Sequence, residues 1–266
     1  MKTKHLGHGI VLFENAFNVD SNLISEYMAY LRSTNEEVHF FKEQDSSDLL
    51  NTNGYKFTKN EVSMAPERFI RTVTADTPKQ FVDLIQSYED ILYECLVEYC
   101  KIFPVALEAI TWRARGSIAT YRNGQNIGCH SDSSIVCEIG EVPDNQIGLH
   151  TTLTASLVMN NDFEGGEIGF RVWGKVVHIN AGSILYYPST YLGAHEVLPV
   201  TSGERIVYLS RFCHGHPGIG MPGVNDDNLM SGNQWLPKLR EDIGLSNMYQ
   251  QKVEDYDKWE GYKPRG

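Results

Sequence analysis

Residues 152–187 read TLTASLVMNNDFEGGEIGFRVWGKVVHINAGSILYY, and the reading of this stretch decides the fold. Apolar runs at 152–159, 167–172, 175–179 and 183–187 alternate with breaks bearing glycine or asparagine. Each run has the length of a strand and is rich in β-branched or aromatic residues. Gly165-Gly166 stands between two of them, where a hairpin needs residues tolerant of positive φ. It does not read as a phosphate loop, because no helix pattern and no adjacent lysine follow. Runs of the same kind at 116–122 and 204–212 flank the stretch. Many short strands with turn signals at this spacing predict a sandwich or closed double sheet, not a parallel α/β sheet.

Upstream the period changes. Asp20 or Ser21 can cap a helix whose apolar positions are Leu23, Ile24, Tyr27, Met28 and Leu31. Thr77 can cap a longer one carrying Phe81, Leu84, Ile85, Tyr88, Ile91, Leu92 and Leu96 on one face, stopped by Pro104. Residues 9–13 read as entering a sheet, and residues 45–66, polar with Asn53-Gly54, as a loop with turns. A polar, partly acidic insert occupies 133–148. The last stretch is rich in Gly, Pro, Asp and Trp and only weakly periodic. The expected organisation is one domain over 1–266: a helical support region at 1–105, a β core at 106–213 and a C-terminal extension at 214–266.

Composition narrows the partners. The chain has 266 residues, 41% hydrophobic and 21% charged, which excludes collagenous, coiled-coil and disordered classes. Lys and Arg number 23 against 34 Asp and Glu, so the net charge of −11 disfavours a phosphate-tracking surface and hence nucleic acid. No N-terminal apolar run has the length of a signal peptide or a membrane span. Five cysteines without a C-x-x-C pair predict reduced thiols in a cytoplasm.

The chemistry concentrates at His130-Ser-Asp132 and His195. On a strand, residues i and i+2 share a face, so His130 and Asp132 can meet one ion from adjacent rungs. With His195 they make two imidazoles and one carboxylate. That facial set leaves positions open and suits non-haem Fe(II) binding a cosubstrate and O2. Arg205 opens an alternating run and can project inward, where a guanidinium needs a carboxylate and its fork suits a dicarboxylate; it can equally sit solvated at the strand's start. Cys129 beside His130 faces the other way on a strand and so does not suit a zinc site. His214-Gly-His216 reads as a solvated turn, and Trp173, Tyr186 and Tyr187 as core packing before pocket lining.

Four segments together resemble the prolyl 4-hydroxylase-like branch of the 2-oxoglutarate/Fe(II)-dependent dioxygenase superfamily. Tyr121 through Gly124-Gln125 leads into His130-Ser-Asp132, similar to Y-x-x-G-Q-x-x-x-x-H-x-D. Thr154 through Asn161-Asp162, Gly165-Gly166-Glu167 and Phe170 is similar to the branch's strand and following turn. Ala181-Gly182 and the run after it resemble the strand before the second histidine. His195, Pro199-Val200, Gly203 and Arg205 resemble H-x-x-x-P-V-x-x-G-x-[KR]. The resemblance covers roughly 106–212. It departs at Ile127, where the branch often has a second tyrosine, and at Arg205, where collagen-type enzymes usually have lysine.

The resemblance implies a double-stranded β-helix (jelly roll) buttressed by helices. It implies Fe(II) on His130, Asp132 and His195, and 2-oxoglutarate on Arg205 with Tyr121 or Thr154 as supporting donors. O2 is the oxidant, ascorbate a reductant, and the product a hydroxylated C–H bond. The acidic residues at 43–48 and 138–144 suit a neutral or basic peptide, proline first among its residues. The alternatives are a free amino acid or small molecule, an AlkB-type nucleic-acid demethylase suggested by Arg205 and Arg211, and a cupin-like metal-binding module without oxygenase activity.

Overall fold

The computed structural model describes residues 1–34, 38–40, 66–69, 72–110, 112–132, 149–215, 229–230, 239 and 241–243. In chain order these form β1 (Lys2–Gly7), β2 (Ile10–Glu14), α1 (Ser21–Ser33), β3 (Val38–Phe40), β4 (Glu67–Phe69), α2 (Lys79–Ile102) and β5 (Trp112–Arg122). There follow β6 (Ile127–His130), β7 (Leu149–Val158), β8 (Phe163–Gly165), β9 (Ile168–Phe170), β10 (Lys175–Val177) and β11 (Ile184–Pro188). β12 (His195–Val197), β13 (Val200–Gly215) and β14 (Leu229–Met230) complete the set. The larger sheet runs β1-β2-β11-β7-β13-β5-β4-β3, with β14 on β5 and β8 on β13; the smaller runs β10-β9-β12-β6. The strand pairs are antiparallel. The fold is mainly β, a double-stranded β-helix with flanking helices. The expectations for 45–65, for 133–148 and for His216 and most of the C-terminal extension fall outside the described residues.

Strand alternation gives the larger sheet two apolar faces. Val11, Phe13, Ile118, Ala155, Leu157, Ile184, Tyr186, Ile206, Tyr208 and Phe212 pack on one side against α1 and α2. Ile10, Leu12, Ala119, Tyr121, Val158, Leu185, Tyr187, Val207 and Leu209 point the other way, toward Ile168, Phe170, Val177 and Val197 of the smaller sheet. The site lies in this second layer.

The helices form for readable reasons. Asp20 caps α1 by accepting the amides of Asn22 and Leu23, both at 3.1 Å, and Ile24, Tyr27, Met28 and Leu31 are buried. Thr77 is not the cap of α2. Pro78 holds that position, and the Thr77 hydroxyl accepts the Thr74 amide at 2.8 Å one turn earlier. Proline's fixed φ suits the helix entrance, which frees the threonine to close the preceding turn. At the other end Phe103 donates its amide to Tyr99 and Pro104 opens a 3-10 turn.

Further differences from the sequence reading concern the N-terminal region and the paired glycines. The region expected to be mainly helical also supplies β1 to β4 to the larger sheet. Gly165-Gly166 is not a hairpin: β8 pairs with the start of β13, whereas β9 pairs with β10 and β12. The chain turns a corner between layers there, and the hairpin of this region is the β9–β10 pair, joined through a 3-10 turn at Arg171–Trp173.

Behind the sheet, Glu67 is 7% exposed and is held by Arg32 at 3.3 Å, Arg122 at 3.2 Å and the Thr120 hydroxyl at 3.0 Å. Arg32 and Arg122 also reach Glu204, so α1, β4, β5 and β13 are tied by one compensated ionic cluster. A buried carboxylate is tolerated only when so paired.

Candidate metal centre

β5 ends at Arg122 beyond Tyr121, and a turn through Gly124 and Gln125 delivers β6 into the smaller sheet. The turn is tied to the start of β13 by two backbone hydrogen bonds: the Gly124 amide donates to Val200 at 2.8 Å and the Val200 amide to Gln125 at 3.1 Å. β6 pairs antiparallel with β12 so that His130 lies opposite His195. Two imidazoles far apart in sequence thereby meet, with ring centroids 4.4 Å apart. Asp132 is not on the strand; it follows the end of β6 by two residues, and the turn beyond the strand brings its carboxylate back. The candidate ligand atoms of His130, Asp132 and His195 all lie within 4.8 Å of one another. They are the one group of three metal-ligating side chains among the described residues.

The donor set fits a metal. His130 Nδ1 lies 2.9 Å from the Gly128 carbonyl and His195 Nδ1 lies 3.1 Å from that of Gly193. A ring nitrogen facing a carbonyl carries the proton, which leaves each Nε2 with its lone pair toward the pocket. Gly193 has a steric duty here: a Cβ on it would lie 1.7 Å from the Pro188 carbonyl oxygen. On the carboxylate, Thr154 donates to Asp132 Oδ2 at 2.7 Å, and Ser189 supports Thr154 at 2.8 Å. Oδ1, 3.5 Å from His130 Nε2, is left for an ion. Thr154 thus serves the carboxylate. Replacing it by valine is expected to weaken metal affinity by about 10- to 100-fold, the usual cost of losing a partner that orients a ligand. A metal-binding isotherm checks this.

Electrostatics agree with the donor set. Burial alone would raise the Asp132 pKa, but Arg211, the hydrogen bond with His130 and the two imidazoles, charged at the low pH where the carboxylate would titrate, hold it well below the usual carboxylate range. Burial and then His130 push His195 down to about 4, against the pull of Asp132. It is therefore neutral, and ready to bind, at physiological pH. The unfolded chain binds this proton near its ordinary 6.5 and the folded chain only near 4. The stability that neutral His195 contributes is thus present above 6.5 and lost as pH falls toward 4. The metal-free protein is expected to lose roughly 3 kcal/mol across that window, at about 1.4 kcal/mol per pKa unit. His195→Gln should flatten the fall, as thermal melts across that pH range will show.

The remaining walls come from several strands. Arg205 on β13 is 2% exposed, with its guanidinium 5.4 Å from the centre of the Tyr121 ring. No ion pair among the described residues engages it. Gly166 makes room: a Cβ there would stand 2.7 Å from Arg205 Cδ. Tyr187, expected in the core, has its hydroxyl 3.2 Å from His195 Nε2, and burial raises its pKa so that it stays a donor. Arg68 of β4 and Arg211 of β13 line the same pocket, with Ile127, Ser156, Ile168, Val197, Val207 and Leu209. Sequence reasoning missed Arg68, on a strand of three residues with no pattern to announce it. For Tyr187 a signal existed, since it alternates with Tyr186 and so faces the other layer.

Residues 116–212 match the family model described as the 2OG-Fe(II) oxygenase superfamily. A PKHD-type hydroxylase of Alteromonas mediterranea is 37% identical over 92 residues, covering 34% of this chain and 39% of the relative. A PKHD-type hydroxylase of Shewanella oneidensis is 38% identical over 89 residues, covering 32% and 36%. The chain thus spans less than two fifths of the length of these two relatives. Among solved structures, a prolyl hydroxylase from Trichoplax adhaerens in complex with a hypoxia inducible factor peptide fragment aligns with a TM-score of 0.49 and 17% identity, over 77% of this chain and 84% of that one.

Proposed function

We propose that this chain, whose residues 116–212 match the 2OG-Fe(II) oxygenase superfamily model, is an Fe(II)- and 2-oxoglutarate-dependent dioxygenase that hydroxylates a C–H bond of a peptide or protein side chain, proline first among the candidates. One observation carries the reading. A two-histidine, one-carboxylate cluster and a buried guanidinium that forms no ion pair with a carboxylate of the described residues line the same pocket. A cupin-like module that only holds metal has no use for that guanidinium, because an unpaired buried cation costs stability unless a ligand compensates it.

The geometry supports these roles. His130 and His195 would offer Nε2 and Asp132 Oδ1 to Fe(II). Arg205 would receive the distal carboxylate of 2-oxoglutarate in its fork, with Tyr121, whose ring lies 5.4 Å from that guanidinium, as a supporting group. Bound there, Fe(II) supplies the redox chemistry that couples O2 and decarboxylation of 2-oxoglutarate, to succinate and CO2, to oxygen insertion in a C–H bond. The chain's own part is to fix the three ligands, hold both ends of the cosubstrate and keep bulk water out with Ile168, Val197, Val207 and Leu209. The name carried by the relatives, PKHD-type hydroxylase, supports hydroxylation. The net charge of −11 argues against an AlkB-type demethylase.

We place the enzyme in the cytoplasm, with ascorbate as its reductant. Cys95, Cys100, Cys129 and Cys213 are buried free thiols, which supports a reducing compartment. No helix of the described residues is long and apolar enough to cross a membrane.

The test is to incubate the purified protein, Fe(II), 2-oxoglutarate and ascorbate with proline-containing peptides, free amino acids and methylated oligonucleotides. A product heavier by one oxygen on a peptide is expected. Oxidation confined to a free amino acid would refute the peptide substrate alone. Demethylated oligonucleotide would overturn the branch, and absence of Fe(II)-dependent succinate the whole reading.

A further inference from the structure

Arg211 lies on β13 six residues beyond Arg205 and lines the same pocket, past a shift in register after Leu209. Its Nη2 is 3.7 Å from Asp132 Oδ1, its one ion pair among the described residues. That oxygen is the one Thr154 leaves open and a metal would take. Once it is taken, Arg211 faces the pocket beside the metal with its counter-charge spent. Its side chain is 25% exposed, so it stands where the pocket meets solvent and an incoming molecule must pass.

Charge balance points the same way. The two charges of Fe(II) and the one of Arg205 are already matched by Asp132 and the two carboxylates of 2-oxoglutarate. Arg211 adds a positive charge that neither metal nor cosubstrate requires. Arg68 lines the pocket too, and after burial Arg211 is the largest influence lowering its pKa, so the two guanidiniums stand close enough to repel. A cation in such a place is best stabilised by an anion, and a planar fork favours a carboxylate.

We infer that Arg211 binds a carboxylate of the primary substrate, so that the molecule oxidised here is acidic close to the carbon that reacts. This rests on the dioxygenase reading above and replaces the neutral or basic peptide expected from the acidic stretches with a substrate that carries a carboxylate near the reacting carbon. The 2-oxo acid end of the cosubstrate is the competing source of a carboxylate, but its charge is met by the metal it chelates.

The protein loaded with Mn(II) and N-oxalylglycine, a non-reacting stand-in for 2-oxoglutarate, separates the sources. N-acetylglycine and its neutral amide are titrated in, and binding is followed by Mn(II) magnetic resonance. A saturable response to the acid and none to the amide is expected. Arg211→Gln should weaken the acid's binding by about tenfold or more, as for truncating one partner of a charge pair. N-oxalylglycine should still bind that variant in a Mn(II)-dependent way, with a smaller change than the acid shows, which also reports that it folds. Arg211→Lys, keeping the charge, should retain part of the response. Equal behaviour of acid and amide, acid binding unaffected by Arg211→Gln, or a loss confined to N-oxalylglycine would each overturn the inference. If N-oxalylglycine shows no Mn(II)-dependent binding to the wild type, the dioxygenase reading itself falls, and the inference with it.

Discussion

Asp132→Ala is expected to abolish the Fe(II)-dependent succinate formation proposed for this chain and to lower metal affinity by more than the 10- to 100-fold typical when only an orienting partner is lost, that is by more than about 100-fold. Three arguments set the size. The substitution deletes one of three protein ligands, the one that brings negative charge to a divalent cation. It removes the acceptor of the Thr154 hydroxyl, which is fully buried and then keeps only Ser189 as a partner. It also leaves Arg211 without its one ion-pair partner among the described residues, beside two imidazoles that are then the sole ligands. The fold should survive, because Asp132 lies beyond the end of β6 and takes no part in either apolar layer. Succinate assays, a metal isotherm and a thermal melt on the same preparation read all three. Full activity in the alanine variant would remove Asp132 from the site.

Arg205→Ala is the second large effect. The guanidinium is 2% exposed, and no carboxylate of the described residues forms an ion pair with it, Glu167 acting on it only through space. Truncating one partner of a buried charged pair costs about 2–5 kcal/mol. The 2-oxoglutarate requirement is therefore expected to rise roughly 30-fold to several thousand-fold, at about 1.4 kcal/mol per factor of ten. Metal affinity should change little, since Arg205 is not among the ligand side chains. Arg205→Lys should fall between the two, keeping the charge and losing the bidentate fork. Titration of 2-oxoglutarate against succinate release decides; an unchanged half-saturation would take Arg205 out of the cosubstrate site.

The parts legible in advance were those with a period or a fixed spacing. Strands at 116–122, 152–159, 183–187 and 204–212 emerged because alternation and glycine breaks are local signals. The joining of His130, Asp132 and His195 in one cluster was anticipated from spacing and resemblance together. What escaped depends on pairing over long distances. Nothing local says that β8 will pair with β13 and leave Gly165-Gly166 as a corner. Nor does any local pattern place Arg68, from a strand of three residues, beside Arg211 from one of sixteen. Nor does any local pattern show that the Thr154 hydroxyl, which the resemblance offered as a supporting donor, bonds Asp132, because that carboxylate arrives from a turn.

β13 carries a further consequence, for anyone who would alter this protein. Its residues Ile206, Tyr208 and Phe212 belong to the layer against the helices, and Arg205, Val207, Leu209 and Arg211 to the pocket. One ribbon of backbone therefore keeps two separate accounts, heat tolerance on one side and chemistry on the other. Apolar variation at Ile206 and Phe212 should be tolerated as long as volume is conserved, shifting the melting point while leaving reaction preferences alone, whereas Tyr208 is held by its hydroxyl's bond to buried Glu89. Libraries aimed at new substrates belong at the second set, with Arg205 spared. Mixing neighbours from both sets in one library would confuse loss of fold with change of taste, since adjacent positions on a strand report to opposite faces.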